Sequence, residues 1–290
     1  MSKKKILFLL TCAVALFLLS GCSLPTDAKG KVIQITGNTT FSYMMSEEGI
    51  FSAIFVYPLA KLVNLLAPHL GVALAIVTVT VLINAVVLLL TWKSNVSSQK
   101  MQLLQPEIAR IQKRYEGRDD QQSRLRMQQE IQQIYAKNGV NMLGSMLVGF
   151  IQFPILIAVY HAVQRAESVI NGSFLGMKLE TSPLHGTQNG QWIYAVAFLV
   201  MIGVQFLSMK LPMFLQEKRA KEEAEKHFRR YEKPANPMGN TMYIMILFVS
   251  VLLFSWPSAM TVYYIISSCV MIAKTFLVDH FVHKEMEKSL

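Results

Sequence analysis

Five long apolar stretches dominate the pattern of hydrophobic and polar positions along this chain. Each qualifies by length and apolarity as a helix that crosses a bilayer. The predicted spans are residues 71–91, 142–162, 192–209, 240–255 and 257–278. The last two are separated by a tight turn at Trp256-Pro257, because proline suits the start of a helix and not its interior. The pattern predicts an all-α membrane protein with five transmembrane helices.

The start of the chain has the pattern of a secretory signal. Three lysines precede an apolar run that ends at Leu18 and is too short to span a bilayer comfortably. The sequence Leu19-Ser20-Gly21-Cys22 resembles the bacterial lipobox. It predicts a lipoprotein signal peptide over residues 1–21, a palmitate-type lipid on Cys22, and a lipid-anchored extracellular tether over 22–46. The alternative is an ordinary signal peptide followed by an incidental cysteine.

The distribution of basic residues predicts the orientation, because cytoplasmic loops carry an excess of Lys and Arg. Segments 92–140 and 210–239 hold nine and eight basic residues, whereas 163–191 holds two. The first two are therefore expected in the cytoplasm, and 163–191 is expected to be an extracellular loop. The N-terminus then lies outside, and residues 279–290 form a cytoplasmic tail. The lipobox independently places the N-terminus outside.

The net charge of +10 falls to +7 without the three leader lysines. Topology and attraction to anionic lipid headgroups explain most of this charge. A basic protein can also bind nucleic acid, but no aromatic-interleaved basic groove or zinc motif indicates recognition of a specific nucleic-acid sequence. Direct contact between the basic loops and ribosomal RNA is left open as a secondary interaction.

Residues 47–68 are apolar but are interrupted by Glu48, Lys61 and Asn64. Polar and apolar positions recur there at helical spacing. We therefore expect an amphipathic helix that lies on the outer face of the membrane. A sixth span is the less favoured alternative, because charged residues are costly in the bilayer.

Segment 92–140 shows a second amphipathic pattern. From Met101 to Tyr115, apolar residues step by three and four positions, and a second stripe follows the break that begins at Gly117. Two short stripes joined by a glycine turn predict a helical hairpin in the cytoplasm. Pro106 is expected to mark the start of a new helix. The hairpin is either a solvated structure without a partner or a mobile element that seeks one, which we favour.

Polar side chains recur in four of the five predicted spans, where they are costly unless they are hydrogen-bonded. Taken one at a time, each is best explained as a hydrogen bond between packed helices. Taken together, they favour a shared hydrophilic cavity. The best candidates for its lining are Asn84, Thr80, Gln152, Gln205 and Tyr264.

The sequence contains no apparatus for enzyme chemistry. No catalytic Ser/His set, paired carboxylates or metalloprotease motif lies in a span. The three cysteines, Cys12, Cys22 and Cys269, form neither a disulfide framework nor a metal motif. We expect a protein that is not an enzyme and that uses no metal or cofactor.

Several local motifs resemble the YidC/Oxa/Alb membrane protein insertases, in the shorter lipoprotein form of Gram-positive bacteria. The matching motifs cover essentially the whole mature chain: Ser97-Ser98-Gln99-Lys100-Met101-Gln102-Leu103-Leu104-Gln105-Pro106-Glu107-Ile108, Lys113-Arg114-Tyr115, Ile134-Tyr135 before Asn138-Gly139-Val140-Asn141, Ile151-Gln152-Phe153-Pro154-Ile155 leading to Tyr160, and Trp256-Pro257-Ser258-Ala259 with Tyr263-Tyr264.

The resemblance implies an insertase and chaperone with a hydrophilic groove that is open to the cytoplasm and the lipid. The implied partners are nascent membrane proteins, the ribosome, the Sec translocon and membrane lipids, in a bacterial cell membrane. Neither ATP nor a cofactor is needed. A non-inserting assembly factor or scaffold is the alternative. A small-solute transporter is less favoured, since we find no internal repeats.

The chain also departs from the pattern of the family it resembles. Asn84 stands where the family usually has an arginine as its groove charge, and no arginine lies elsewhere in that span. Asn84 can still hydrogen-bond and hold water, but it cannot attract an acidic tail electrostatically. Tyr264 stands where a tryptophan is common, and Gln205 matches a polar groove position. These departures identify a divergent member.

Overall fold

A computed structural model describes residues 24–118, 120–226 and 239–287. The predicted signal peptide and the lipidation site Cys22 lie outside the described residues. The described chain is mostly helical and falls into two units. One contains the residues up to Val79 together with Phe153–Glu180, and the other contains Thr80–Gln152 together with the residues from Thr181.

The first helical elements of the described chain are one turn of α-helix, Phe41–Tyr43, and two π-helical turns, Met44–Glu48 and Ser52–Val56. The elements that follow are α1 (Tyr57–Leu70), α2 (Val72–Leu103), α3 (Gln105–Arg114), α4 (Gln121–Lys137), α5 (Met142–Arg165), α6 (Glu167–Ile170), β1 (Ser173–Phe174), β2 (Met177–Lys178), α7 (Pro183–Gln188), α8 (Trp192–Lys226), α9 (Gly239–Ser255) and α10 (Ser258–Glu287). Strands β1 and β2 pair antiparallel, with Ser173 opposite Lys178.

Four stretches of the described residues are long and apolar enough to cross a membrane: Ser52–Leu70, Val72–Leu103, Trp192–Arg219 and Ser258–Val282. The last three contain nearly all of the predicted spans 71–91, 192–209 and 257–278. Helices α5 and α9 cover the other two predicted spans. The first stretch, Ser52–Leu70, lies in the segment that was expected on the outer face of the membrane. Its length and apolarity alone would also permit it to cross the membrane.

Helices α2, α8 and α10 continue well past the ends of the predicted spans. Helix α2 ends at Leu103, and Pro106 lies in the first turn of α3, as predicted. Proline suits this position because the first turn of a helix does not need the amide hydrogen that proline lacks. Residues 163–191 form more than a loop. They contain the end of α5, the short helices α6 and α7, and the two-stranded sheet.

In the first unit, residues 33–37, which lie within the predicted tether over 22–46, contact helices through their backbone groups. Ile35 is fully buried and forms a parallel bridge with Ala166. Its amide donates to the carbonyl of Arg165 at 2.7 Å. Thr26 and Val32 form an antiparallel bridge within the same segment. Paired backbone groups therefore fix this stretch of chain.

Two of the polar residues that interrupt segment 47–68, Lys61 and Asn64, are bound by this N-terminal segment. Lys61 Nζ donates to the carbonyl of Gly37 at 2.5 Å, and Asn64 Nδ2 donates to the carbonyl of Ile35 at 2.6 Å. The buried face of the helix is made of small residues, Ala53, Val56, Ala60, Val63 and Ala67. The large apolar residues Ile50, Ile54, Phe55 and Leu65 are exposed. The polar positions of this helix thus meet protein backbone, and its exposed face is largely apolar.

In the second unit, α8 packs along α10, and the short helix α7 packs on α8. Gly186 of α7 lies directly against the ring of Tyr194, because a Cβ atom at that glycine would come within 2.3 Å of the ring. Ser258, the first residue of α10, donates through both its amide and its hydroxyl to the carbonyl of Thr181, at 2.9 and 2.6 Å. These contacts fix the start of α10 after the Pro257 turn.

Candidate substrate groove

Asn84 and Thr80 lie one turn apart on the same face of α2. Thr80 is 2 % exposed, and Asn84 is half-buried. The Asn84 Nδ2 atom donates to the backbone carbonyl of Thr80 at 2.8 Å. This spacing of four residues brings the two side chains together in any helix. The pair is polar and neutral, and lies in the middle of a predicted span.

Gln205 connects α8 to α10. Its Oε1 atom accepts a hydrogen bond from the Ser268 hydroxyl at 2.9 Å. Ser268 is buried, and the nearby Ser208 hydroxyl donates to the backbone carbonyl of Gln205 at 2.8 Å. The geometry is that of a polar link between packed helices, which was the alternative explanation for each polar residue. Gln205 can line a groove only while it keeps or exchanges this bond.

The other two predicted groove residues lie in different surroundings. Tyr264 is half-buried, and its ring meets the edge of the buried Tyr263 ring, with 5.5 Å between centroids and an interplanar angle of 84°. Gln152 is exposed on α5. Among the described residues, no hydrogen bond joins the Asn84–Thr80 pair to the Gln205–Ser268 pair. The structure therefore forms two separate polar pairs, and the shared groove stays a prediction.

A carboxylate that the sequence reasoning missed joins three helices of the second unit. Asp279 was assigned to the cytoplasmic tail, but it is 7 % exposed and lies on α10. Its Oδ1 atom accepts from Gln99 Nε2 of α2 at 2.8 Å, and its Oδ2 atom accepts from Arg219 Nη2 of α8. One feature of the sequence could have identified Asp279. It is an acidic residue directly after the last predicted span, on the side of the membrane where basic residues predominate.

A buried ion pair in the first unit was also missed. Arg165 was counted only as a loop charge, yet it is fully buried. Its Nη1 and Nη2 atoms donate to the two carboxylate oxygens of Glu48 at 2.6 and 2.5 Å, and its Nε atom donates to the carbonyl of Ile33 at 2.7 Å. Bidentate pairing of this kind is the strongest form of a side-chain hydrogen bond. Sequence spacing gave no signal for a pair so far apart in the chain.

Helices α3 and α4 pack around a small apolar cluster, in which the buried residues are Ile108, Tyr135 and Val140. Glu130 of α4 accepts from Arg114 Nη2 at 2.9 Å and from the Tyr115 hydroxyl at 2.7 Å. The hydrogen bond to Glu130 raises the pKa of the Tyr115 hydroxyl. This pair of helices lies within the segment predicted to form a hairpin.

Asp120 begins α4 as its N-cap. Its carboxylate accepts from the Ser123 amide at 2.8 Å, and this hydrogen bond lowers the pKa of the carboxyl. Across the described residues, no group of three or more His, Cys, Asp or Glu side chains is placed to hold a metal ion.

Comparison with known proteins places the chain in a family. Residues 66–285 match the model of the 60Kd inner membrane protein family. The chain is 30% identical to membrane protein insertase YidC 2 of Bacillus anthracis over 79% of this chain and 81% of that protein. It is 30% identical to membrane protein insertase MisCA of Bacillus subtilis over 95% of this chain and 92% of that protein. The chain is a multi-pass membrane protein, and it belongs to the 60Kd inner membrane protein family, the YidC/Oxa/Alb family that its motifs resemble.

Proposed function

We propose that this chain is a membrane protein insertase and chaperone. The observation that carries the proposal is the family match over residues 66–285, together with relatives named as membrane protein insertases that align with most of the chain. The activity is non-enzymatic, because a substrate helix moves from water to lipid without a change in covalent bonds. Its substrates are nascent membrane proteins. The ribosome and the Sec translocon are the partners that would deliver them.

The proposed mechanism lowers the barrier to moving a polar tail through hydrocarbon. Polar groups cost several kcal/mol when they enter an apolar phase without a hydrogen-bond partner. The half-buried amide of Asn84 and the paired side chains of Gln205 and Ser268 can offer such partners within apolar helices. Thr80, Gln152 and Tyr264 complete the proposed groove lining. Because these groups are neutral, the groove favours tails of low charge.

The proposed topology has five spans, with the N-terminus outside and the C-terminus in the cytoplasm. Segments 92–140 and 210–239 then face the cytoplasm, where their basic residues can meet anionic lipid or the ribosome. Residues 1–21 would be removed as a signal peptide, and Cys22 would carry the lipid on the outer face. The contacts of residues 33–37 with helices of the first unit support a short, fixed connection between such an anchor and that unit.

The test is photo-crosslinking from position 84 while ribosomes translate a short membrane protein. Val86 provides a matched control. It is 55% exposed on α2, about 3 Å further along the axis and on the opposite face of the helix. We expect crosslinks to the nascent transmembrane segment from position 84 and only to lipid from position 86. Equal labelling of the substrate from both positions, or none from position 84, would contradict the proposed groove.

A second candidate function is a non-inserting assembly factor, and the neutral, locally bonded Asn84 amide favours it. Replacing Asn84 by Arg separates the two functions. An insertase with a hydrated groove should gain activity on substrates with acidic tails, since the new charge attracts them. An assembly factor should be indifferent to the charge at this position. The comparison uses one substrate with an acidic tail and the same substrate with a neutral tail.

A further inference from the structure

One buried carboxylate receives hydrogen bonds from two other helices. Asp279 of α10 accepts from Gln99 of α2 through Oδ1 at 2.8 Å and from Arg219 of α8 through Oδ2. Arg219 also donates to the backbone carbonyl of Asp279 at 3.3 Å. The side chains of Arg219 and Asp279 are 18% and 10% exposed. We call Gln99, Arg219 and Asp279 the carboxylate junction.

Further contacts strengthen the same end of α2. The rings of Trp92 and Phe281 meet edge to face, with 5.2 Å between their centroids, and so join α2 to α10. The Ser97 hydroxyl donates to the Asn141 carbonyl at 3.1 Å and accepts from the Asn141 amide at 2.9 Å. Asn141 directly precedes α5. The end of α2 is thus held to α10 and to the start of α5 by specific, directional contacts.

The junction lies far along the helices from the proposed groove residues. On α2, Gln99 follows Asn84 by fifteen residues, which is about 22 Å. On α8, Arg219 follows Gln205 by fourteen residues, which is about 21 Å. The same helices therefore carry groove residues in their middle and the junction at one end. In the proposed orientation that end faces the cytoplasm, where a substrate enters.

We propose that Asp279 is a positioning residue for insertion, which fixes the spacing of α2, α8 and α10 at the cytoplasmic entrance to the groove. The proposal rests on the proposed function. Breaking a buried ion pair leaves an uncompensated charge in the protein interior, which is strongly unfavourable, so arrangements that keep Arg219 against Asp279 are favoured. One carboxylate with two donors on different helices permits few relative positions of those helices. Loss of its charge should release the ends of the helices while their apolar contacts remain.

The test variant is Asp279→Asn in the full-length chain, reconstituted in vesicles. The matched control is Glu222→Gln, which removes the exposed ion pair between Lys218 and Glu222 on α8. Two quantities are measured: protease-protected insertion of a single-span protein with a neutral tail, and the distance between spin labels at Lys93 and Phe214. Both label sites are exposed, and Cys12, Cys22 and Cys269 are replaced by serine in every variant so that only the cysteines introduced at positions 93 and 214 react with the label.

We expect Asp279→Asn to broaden the distance distribution and to lower insertion by at least about fivefold, the lower end of typical coupling between linked sites. Glu222→Gln should change neither quantity. The exchange of Arg219→Asp with Asp279→Arg should restore part of both. If Asp279→Asn fails to fold, Gln99→Met removes one donor and keeps the ion pair, and it should give a smaller change in the same direction.

Three results would overturn the proposal. The first is a wild-type distance distribution and wild-type insertion in Asp279→Asn. The second is lower insertion with an unchanged distance, because Asp279 would then not act through helix spacing. The third is an equal effect of Glu222→Gln. Failure of the proposed function is a different result, since the wild-type chain would then insert no substrate and position 84 would give no crosslink.

Discussion

The buried pair of Arg165 and Glu48 allows a prediction with a defined magnitude. Replacing Arg165 by Met keeps much of the side-chain volume and removes three donated hydrogen bonds, two to Glu48 and one to the Ile33 carbonyl. The Glu48 side chain is 7% exposed, so its carboxylate is then left buried without its counter-ion. Breaking a buried ion pair in this way costs about 3–5 kcal/mol of unfolding free energy. We expect a loss in this range for Arg165→Met.

A double-mutant cycle tests the reasoning behind this value. Glu48→Gln in the Arg165→Met background replaces the buried charge by a neutral amide. It should therefore recover about 1–3 kcal/mol of the loss. The assay is equilibrium unfolding in mixed detergent micelles, with hydrogen exchange of the Ile35 amide as a local probe, because that amide donates to the Arg165 carbonyl. A loss below about 1 kcal/mol for Arg165→Met, or additive effects in the double mutant, would refute the stabilising role of the pair.

Two further predictions concern local structure. Gly186→Ala should lower the free energy of unfolding by about 1–3 kcal/mol through overpacking, because the new Cβ would meet the Tyr194 ring at 2.3 Å; a thermal melt beside Gly203→Ala, where nothing lies within 4 Å, checks this. The second concerns Asp120, whose carboxyl has a lowered pKa in the folded protein. The stability that its ionised form contributes is fully present above the ordinary pKa of about 3.9 and is lost as the pH falls through the lowered pKa of the folded state. Hydrogen exchange of the Ser123 amide, corrected for intrinsic rates, should show weaker protection at low pH in the wild type and no such change in Asp120→Asn.

Local chemistry was the part of the fold that the sequence predicted well. Pro106 lies in the first turn of α3, where its missing amide hydrogen costs no helical hydrogen bond, and the predicted break at Gly117 separates α3 from α4. The ends of the long helices were predicted less well. Hydropathy reports where apolar side chains stop and says nothing about where the backbone hydrogen bonds stop. Helix α8 therefore continues through charged residues to Lys226, past the predicted span.

Contacts between distant segments could not be predicted, because periodicity does not name the partner of a polar face. Lys61 and Asn64 were predicted only to be polar positions of an amphipathic helix. The structure shows that they donate to the carbonyls of Gly37 and Ile35. A carbonyl satisfies a polar side chain as water does, and the sequence pattern is the same in both cases. The contact of Asp279 was missed for the same reason, since its partner Gln99 lies 180 residues away along the chain.

The contacts of the candidate groove residues also differ in whether the sequence could predict them. The contact of Asn84 with Thr80 follows from helical spacing alone, whereas the bond between Gln205 and Ser268 joins residues 63 positions apart. Sequence reasoning could identify Gln205 as a polar residue in a span but could not say whether it faces a cavity or a neighbouring helix. The structure shows that it already has a partner on α10. In a groove, Gln205 would therefore either keep that bond or exchange it for one to a substrate.

The placement of charge bears on how such a groove would choose its substrates. Lys274 is the one Lys, Arg, Asp or Glu residue within the five predicted spans. The buried charges described above, Arg165 with Glu48 and Arg219 with Asp279, are paired with one another. An arginine at the centre of a span costs about 2.5–3.5 kcal/mol on insertion scales, and Asn84 avoids that cost. Asn84→Arg should therefore reduce the stability of the empty protein, and an acidic tail bound in the groove should offset part of that loss.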